Sequence, residues 1–159
     1  MQHLIIGAGP AGVNAAEALR KLDPQATIRI IGDEPEPPYS RMAIPYLLMN
    51  NIDEHGTHLR DRADHYAQQR IDVAQGRVIK IDPAQHRVTL DHGDSISYDR
   101  LLIATGSSPA HPPIPGIDAE HVSSCWTLAD ARAIAARAAA GSRVALIGAG
   151  FIGSIILEA

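Results

Sequence analysis

Two stretches of the form Gly-x-Gly-x-x-Gly are the residues whose types and spacing indicate chemistry. One covers residues 7–12 and the other residues 148–153. Each follows a short apolar run and precedes a run that favours a helix. In that setting the glycines allow a tight turn and a close approach of the backbone to a pyrophosphate, which the start of the helix then faces. The pattern predicts two dinucleotide sites; the alternative is that a fingerprint occurs without a nucleotide.

The elements around the first fingerprint predict a doubly wound α/β domain. Residues 4–6 are an apolar run typical of a buried strand, and residues 27–31 are predicted to be the next parallel strand. Residues 11–22 between them favour a helix. Asp33 and Glu34 follow the second strand, about twenty residues beyond the glycines, where an acidic residue meets the ribose hydroxyls of a dinucleotide. The alternative for Asp33 is a plain turn residue.

The rest of the chain predicts a small inserted sheet and the start of a second domain. Residues 73–98 have the short β-branched runs and turns of an antiparallel β-meander, after which residues 100–104 return to the parallel sheet. Residues 127–140 favour a helix, and residues 142–147 a strand that leads into the second fingerprint. Two further helices are predicted, one after the proline-rich loop and ending at Leu48, the other over residues 61–69.

Proline content and the position of the second fingerprint predict the domain boundaries. Four prolines lie within residues 107–116, a composition typical of a linker. We therefore expect a first domain over residues 1–110, a linker over 111–117, and the truncated start of a second dinucleotide-binding domain over 118–159.

Composition excludes several classes of function. The chain of 159 residues is 45% hydrophobic and 20% charged, which is typical of a globular protein. Its net charge of -4 and 4% aromatic content argue against binding to nucleic acid or to an anionic membrane surface. No apolar stretch is long enough to span a bilayer, and a single cysteine provides no disulfide framework. We expect a cytoplasmic protein.

In this order and spacing, the motifs resemble those of the FAD-dependent pyridine-nucleotide oxidoreductases. The resemblance is to the branch that contains ferredoxin and rubredoxin reductases and the flavoprotein part of NADH-dependent nitrite reductase. It covers the whole chain but only the N-terminal portion of such a protein. The segments that carry it are the two fingerprints, residues 32–35 with 38–41, and residues 104–109 with 114–116.

The resemblance implies a role for each matching residue. The first fingerprint would bind the FAD pyrophosphate, Asp33 (or Glu34) the adenosine ribose, and Arg41 the phosphate or ribityl part, unless Arg41 is only a solvated loop residue. Val78 would meet the adenine through its backbone, and residues 104–106 would pass close to the cofactor. The second fingerprint would bind NADH or NADPH. The residues implied for FAD are Gly7, Gly9, Pro10, Ala11, Gly12, Asp33, Glu34, Arg41, Val78, Ala104, Thr105 and Gly106, and those implied for NAD(P)H are Gly148, Gly150 and Gly153.

The resemblance also implies an activity. A hydride would pass from C4 of NAD(P)H to N5 of FAD, and electrons would then pass to a ferredoxin- or rubredoxin-type protein or to a fused reductase module. A homodimer is consistent with this expectation, and no residue is predicted to act as a general acid or base. The alternatives are a flavin-binding structural or interaction module with little turnover, and an NADH oxidase or peroxidase. A piece that lacks the late FAD segment of the family is expected to bind FAD weakly or not at all and to be inactive alone.

The chain departs from relatives of this kind at positions that matter for chemistry. Met42 stands where disulfide- and peroxide-reducing relatives have a redox cysteine, and a thioether forms neither a thiolate nor a sulfenate. Tyr46 and Ile155 stand where the ferredoxin-reductase type has a lysine and a glutamate. Because both charges are missing together, neither leaves a lone buried partner, and we expect a differently built flavin pocket. Ala110 replaces an arginine that many relatives have.

The remaining polar clusters are interpreted as structural. His55, His58 and His65 have acidic neighbours but no firm helix to fix a ligand spacing, so a solvated face is favoured over a metal site. Cys125 has no neighbour in sequence that would lower its pKa, and a packing role is favoured over a reactive one. Residues 91–94 are typical of an exposed hairpin turn.

Overall fold

A computed structural model describes residues 1–148 and 150–158, which form two compact units. The first unit contains Met1–Tyr39 and His58–Gly106, and the second contains Ser40–Thr57 and Ser107–Ala159. No helix among the described residues combines the length and the apolar character that crossing a membrane requires.

The first unit is built on a four-stranded parallel sheet. The strand order is β3-β2-β1-β7, with each neighbouring pair parallel. The strands are β1 (Gln2–Ile6), β2 (Thr27–Gly32), β3 (Ile71–Gln75) and β7 (Arg100–Ile103). The predicted strands at 4–6, 27–31 and 100–104 are confirmed, and so is the α/β class.

Helix α1 (Pro10–Leu22) covers one face of the sheet. Proline occupies the first turn, where a missing N–H costs nothing, and the alanine-rich sequence favours the helix. Val13 and Ala16 pack against Ile5, Ile28 and Ile30. Helix α3 (His65–Gln68) belongs to the same unit. The predicted helix at 11–22 is confirmed. The one predicted over 61–69 is much shorter, because Tyr66 alone of its residues packs against this core and a single apolar side chain does not sustain several turns.

The inserted meander covers the opposite face. Its antiparallel strands are β4 (Val78–Asp82), β5 (Arg87–Leu90) and β6 (Ser95–Ser97). Val88 and Leu90 pack against Leu4 and Ile31, so β1 is buried on both faces. The meander is confirmed, but its predicted start at residue 73 is wrong because residues 71–75 pair in parallel with β2. A short alternating run does not distinguish the two kinds of pairing.

The regular elements in the described part of the second unit are all helical. Its helices are a 3₁₀ turn at Arg41–Ala43, α2 (Ile44–Leu48), a second 3₁₀ turn at His55–Thr57, α4 (Leu128–Arg137) and α5 (Phe151–Ile156). The helix predicted to end at Leu48 is therefore present but divided. The helix predicted over 127–140 is present and begins with a capping box, in which Thr127 Oγ1 accepts the Asp130 N–H and the Asp130 carboxylate accepts the Thr127 N–H.

The strand predicted over residues 142–147 is wrong, since the structure assigns no strand to these residues. Val144 and Ile147 are 86% and 71% exposed. A strand is stabilised by hydrogen bonds and side-chain packing from a neighbouring strand, and none of the strands in the described part of the chain pairs with this segment.

The end of α1 is fixed by the guanidinium of Arg20, which is 8% exposed and binds five backbone carbonyl groups. Three acceptors lie in the turn between α1 and β2, at 2.8 to 3.3 Å, and two lie just before β3, both at 2.7 Å. The acceptors are the carbonyl oxygens of Asp23, Pro24, Ala26, Gln69 and Arg70. One side chain therefore joins the connections that enter two adjacent strands.

A charged cluster attaches the middle of α1. Both Glu17 carboxylate oxygens accept from Arg60, at 2.7 and 2.6 Å, and His65 Nε2 lies 2.9 Å from Oε1. Arg60 also donates to Asn14 at 3.3 Å. The Arg60 hydrogen bond, opposed by burial and aided by His65, lowers the pKa of Glu17 below its ordinary value of 4.5.

Replacing Arg20 by lysine tests the carbonyl cluster. We expect Arg20→Lys to lower the free energy of unfolding by about 3 kcal/mol, because an ammonium has only three donors for five buried or half-buried carbonyl groups. Urea unfolding followed by circular dichroism measures it. The matched control is Arg100→Lys, since Arg100 is exposed and donates to the neighbouring Asp99 carbonyl; its change should stay within about 0.5 kcal/mol. Equal losses in the two variants would contradict the assignment.

The Glu17 cluster predicts a pH-dependent contribution to stability. A lowered folded-state pKa means that the charged carboxylate stabilises the fold fully above about pH 4.5 and loses this effect as the pH falls through the folded-state pKa. The stability difference between wild type and Glu17→Gln should therefore shrink from about pH 6 to about pH 3. Unfolding measured across this range, with the exposed Glu120→Gln as control, checks it. A difference that grows at low pH would be the opposite result.

Candidate functional site

The carboxyl ends of the parallel strands place the loops of the first unit side by side. Ile6 is in register with Ile31 on one side and with Ile103 on the other. Beyond this register the Gly7 N–H still donates to the Ile31 carbonyl, and the Ala104 N–H to the Ile6 carbonyl, each at 2.7 Å. Ligands bind at this edge of open parallel sheets. The structure brings together here the predicted residues that follow three strands, namely Gly7, Asp33, Glu34, Ala104, Thr105 and Gly106.

Gly7 occupies a backbone position that requires glycine for two reasons. Its φ of +116° is a conformation that residues with a side chain rarely adopt. A Cβ atom on Gly7 would also lie 2.1 Å from the Ala104 carbonyl oxygen. The turn after β1 therefore packs directly on the backbone that leaves β7.

The other two glycines of the first fingerprint have opposite surroundings. A Cβ on Gly12 would lie 2.0 Å from the Gly7 carbonyl oxygen and 3.2 Å from a methyl group of Ile5, so α1 contacts the turn without any space for a side chain. A Cβ on Gly9, at the N-cap of α1, would meet no atom within 4 Å. Packing within the chain therefore explains why residue 12 is a glycine, but it does not explain why residue 9 is one. The small size of Gly9 leaves open space at the start of the helix.

The acidic residues after β2 differ in their surroundings. Asp33 is exposed, whereas the Glu34 carboxylate accepts a hydrogen bond from the Tyr39 hydroxyl at 2.6 Å. Tyr39 is buried and pairs with His58 in an isolated bridge, so it holds the Glu34 side chain in place. Of the two predicted ribose ligands, Glu34 is the more constrained.

Val78 begins the meander close to the same edge. The Gly76 N–H donates to the Gly32 carbonyl at 2.8 Å, which extends the pairing of β3 and β2 beyond the sheet register. Val78 follows two residues later, pairs with Leu90 and packs beside the second core cluster. Its backbone is thus anchored at the carboxyl end of the parallel sheet.

The second fingerprint repeats the backbone geometry of the first. Gly148 has the same φ of +116° as Gly7, and Gly150 caps α5 with φ -80° and ψ -176°, against -80° and -177° for Gly9. A Cβ on Gly153 would lie 2.1 Å from the Gly148 carbonyl oxygen. One difference is that a Cβ on Gly148 would meet nothing within 4 Å. The match of these backbone angles indicates that the short glycine sequence itself specifies the turn.

Arg41 lies in the second unit beside an aromatic residue. Its Nη1 donates to the Ser107 carbonyl at 3.2 Å, and its Cζ lies 5.2 Å from the centroid of the Trp126 ring. The Trp126 indole N–H donates to the same carbonyl at 3.0 Å. Sequence reasoning gave Trp126 no role, because residues 41 and 126 are distant in the sequence and no spacing links them.

An apolar cavity of about 140 Å³ lies within the second unit. Its wall includes Met42, Tyr46 and Ile155. Tyr46 and Ile155, which stand in place of the expected lysine and glutamate, therefore line the same cavity. Cys125 lines it as well, and burial together with the Asp130 carboxylate raises the pKa of its thiol. The cavity therefore offers neither a buried ion pair nor an activated thiolate.

The other polar clusters have structural partners. His65 contacts Glu17, and His92 lies between the carboxylates of Asp91 and Asp94 on an exposed turn. In the part of the chain that the structure describes, no three histidine, cysteine, aspartate or glutamate side chains are arranged to hold a metal ion.

Comparison with known proteins gives a consistent result. The sequence model of the pyridine nucleotide-disulphide oxidoreductase family matches residues 1–156. The chain is 43% identical over 155 residues to the ferredoxin–NAD(+) reductase component of the anthranilate 1,2-dioxygenase system of Burkholderia cepacia. It is 34% identical over 154 residues to rhodocoxin reductase of Rhodococcus erythropolis. These matches cover 94% and 96% of the chain but only 37% and 36% of the two relatives.

A solved structure of similar fold comes from a complex. The reductase in the covalent putidaredoxin reductase–putidaredoxin complex matches with a TM-score of 0.85 and 30% identity. The match covers 98% of this chain and 38% of that one. The chain thus spans a little over a third of the length of each of these proteins.

The unequal surroundings of the glycines predict unequal effects of alanine. Gly12→Ala should lower the free energy of unfolding by about 3 kcal/mol or more, because the Gly7 carbonyl would have to move. Gly9→Ala should cost about 1 kcal/mol or less, since its added methyl group enters open space. Urea unfolding of the two variants measures both. A Gly9 variant as unstable as the Gly12 variant would contradict the packing described here.

Proposed function

The chain belongs to the pyridine nucleotide-disulphide oxidoreductase family, and on that premise we propose that the protein is an FAD-dependent oxidoreductase that accepts hydride from NAD(P)H and passes electrons to a small redox protein. The observation that carries the proposal is the pair of fingerprint turns with matching backbone angles, each opening a helix. Two such turns suit two dinucleotides, and hydride transfer is the reaction that joins a nicotinamide to a flavin.

The first fingerprint suits the pyrophosphate of FAD. Helix α1 begins with Pro10, which has no N–H, so Ala11 and Gly12 provide the N–H groups at its start, and the space beside Gly9 allows a phosphate to approach them. We assign the pyrophosphate to Gly7, Gly9, Pro10, Ala11 and Gly12. When bound, FAD supplies the conversion of a two-electron hydride into single electrons. The protein's contribution is to bind and orient this group.

The other first-unit residues would complete the FAD site. Glu34, or Asp33 beside it, would accept hydrogen bonds from the adenosine ribose hydroxyls. The hydrogen bond from Tyr39 would keep the Glu34 carboxylate oriented for this. Val78 would meet the adenine through its backbone, and residues 104–106 would border the cofactor. Arg41 would add a positive charge toward the phosphate or ribityl part. The second fingerprint, with Gly148, Gly150 and Gly153, would bind the pyrophosphate of NADH or NADPH.

A small redox protein is the acceptor that the relatives support. Two of them are named as reductases of a ferredoxin and of rhodocoxin, and a third is described in complex with putidaredoxin. Met42 gives no thiol at the position of the redox cysteine, and the raised pKa of Cys125 disfavours its thiolate. Thiol-dependent reduction of peroxides or disulfides is therefore the weaker proposal, and a reductase module fused to the chain is an alternative acceptor.

Anaerobic reduction of the intact protein tests the proposed activity. The purified protein should show flavin absorbance, and NADH or NADPH added without oxygen should bleach it. Ferredoxin or rubredoxin should then restore the absorbance and should be needed for steady turnover. Absorbance that NADH and NADPH both leave unchanged would contradict the proposal, as would a protein that carries no flavin.

The two open glycines provide a reciprocal test of the two sites. Because neither added methyl group meets other atoms, Gly9→Ala and Gly150→Ala should both fold. Gly9→Ala should weaken FAD binding about tenfold, since a Cβ would keep a phosphate from the helix start. Gly150→Ala should keep its FAD but need about tenfold more NADH or NADPH for half-maximal bleaching. Each variant is the control for the other, and FAD loss in the Gly150 variant would contradict the assignment.

A further inference from the structure

The segment before α4 is fixed by a single carboxylate. Asp130 Oδ2 accepts from the Ser124 hydroxyl at 3.0 Å, from the Trp126 N–H at 2.9 Å and from the Thr127 N–H at 3.0 Å. Three donors on one oxygen leave the backbone of this segment little freedom. The Trp126 side chain therefore starts from a defined backbone position.

The Trp126 side chain is in turn held at its polar edge. Its indole N–H donates to the Ser107 carbonyl, which also accepts from Arg41. The ring is then within cation–π distance of the guanidinium, at 5.2 Å. One carbonyl oxygen and one aromatic ring thus both contact the same guanidinium.

We propose that Trp126 is a positioning residue for Arg41: it holds the guanidinium in a fixed arrangement, ready to bind the anionic group that is assigned to Arg41. This inference rests on the proposed function, because Arg41 is assigned there to FAD. An arginine side chain has several rotatable bonds, and its N–H groups bind phosphate only in defined directions. A ring and a carbonyl that fix it beforehand reduce the entropy lost on binding.

The two parts of the Trp126 side chain have separable effects. A phenylalanine keeps an aromatic face for the guanidinium but has no N–H for Ser107, whereas a leucine has neither. If the role is to orient Arg41, phenylalanine should restore part of what leucine loses. If Trp126 instead stacked on the ligand directly, its effect would not depend on Arg41.

A double-mutant cycle on FAD affinity in the intact protein tests the proposal. FAD is removed, and its dissociation constant is measured by titration with flavin fluorescence. Trp126→Leu should weaken binding about fivefold and Trp126→Phe by less than that. Arg41→Gln should weaken it about thirtyfold. In the Arg41→Gln background, Trp126→Leu should add less than about twofold, because there is no guanidinium left to orient. Arg137→Gln, which removes another arginine that donates to a backbone carbonyl, is the control and should leave affinity unchanged.

The outcomes separate this proposal from the proposed function. If wild type binds FAD but Trp126→Leu binds equally well, the positioning role is wrong and the proposed function stands. Independent, multiplicative losses from the Trp126 and Arg41 variants would also overturn positioning, in favour of direct stacking. If wild type binds no FAD, the proposed function fails, and the positioning role as stated fails with it.

Discussion

The contact between helix α1 and the carbonyl oxygen of Gly7 is the constraint on which the first unit depends. A Cβ at position 12 would lie 2.0 Å from that oxygen, and one at position 7 would lie 2.1 Å from the carbonyl oxygen of Ala104. Strand, turn, helix and the exit from β7 therefore meet backbone to backbone. Any side chain in this space would separate α1 from the sheet edge, and the start of the helix would no longer face the loops that carry Asp33 and Thr105.

Side-chain contacts along α1 keep this backbone contact in place. At the far end Arg20 binds carbonyl groups that precede β2 and β3, and in the middle Glu17 binds Arg60 and His65. Nearer its start, Val13 and Ala16 on the apolar face of α1 pack on Ile5, Ile28 and Ile30. A helix held at its middle and its end is fixed in tilt, so its first turn is presented in a constant direction. The direction in which α1 presents its first turn at the carboxyl edge of the sheet thus depends on polar groups far from that edge.

Local patterns predicted much of the fold, while long-range pairing was less predictable. The apolar runs predicted β1, β2 and β7, and the helix-favouring segment predicted α1. Such patterns are predictive because they reflect how many faces of an element are buried. A short run does not specify its pairing partner, so residues 73–75 are predicted in the meander, whereas the structure pairs residues 71–75 with β2. For the site, the fingerprint glycines were apparent from spacing. The Tyr39–Glu34 bond and the Trp126–Arg41 contact were not, since they arise from folding of residues that have no shared motif.

The two fingerprints show which part of a dinucleotide site is encoded locally. Their glycine angles agree within 1°, and each third glycine touches the carbonyl oxygen of its first, although only the first turn follows a strand. The turn therefore does not depend on the sheet. The sheet adds a second contact for the turn, from the backbone of an adjacent strand end. Gly7 packs on Ala104, whereas a Cβ on Gly148 would meet nothing within 4 Å. A glycine fingerprint alone thus specifies a helix start, and adjacent parallel strands are needed to surround it with the loops that make it a selective site.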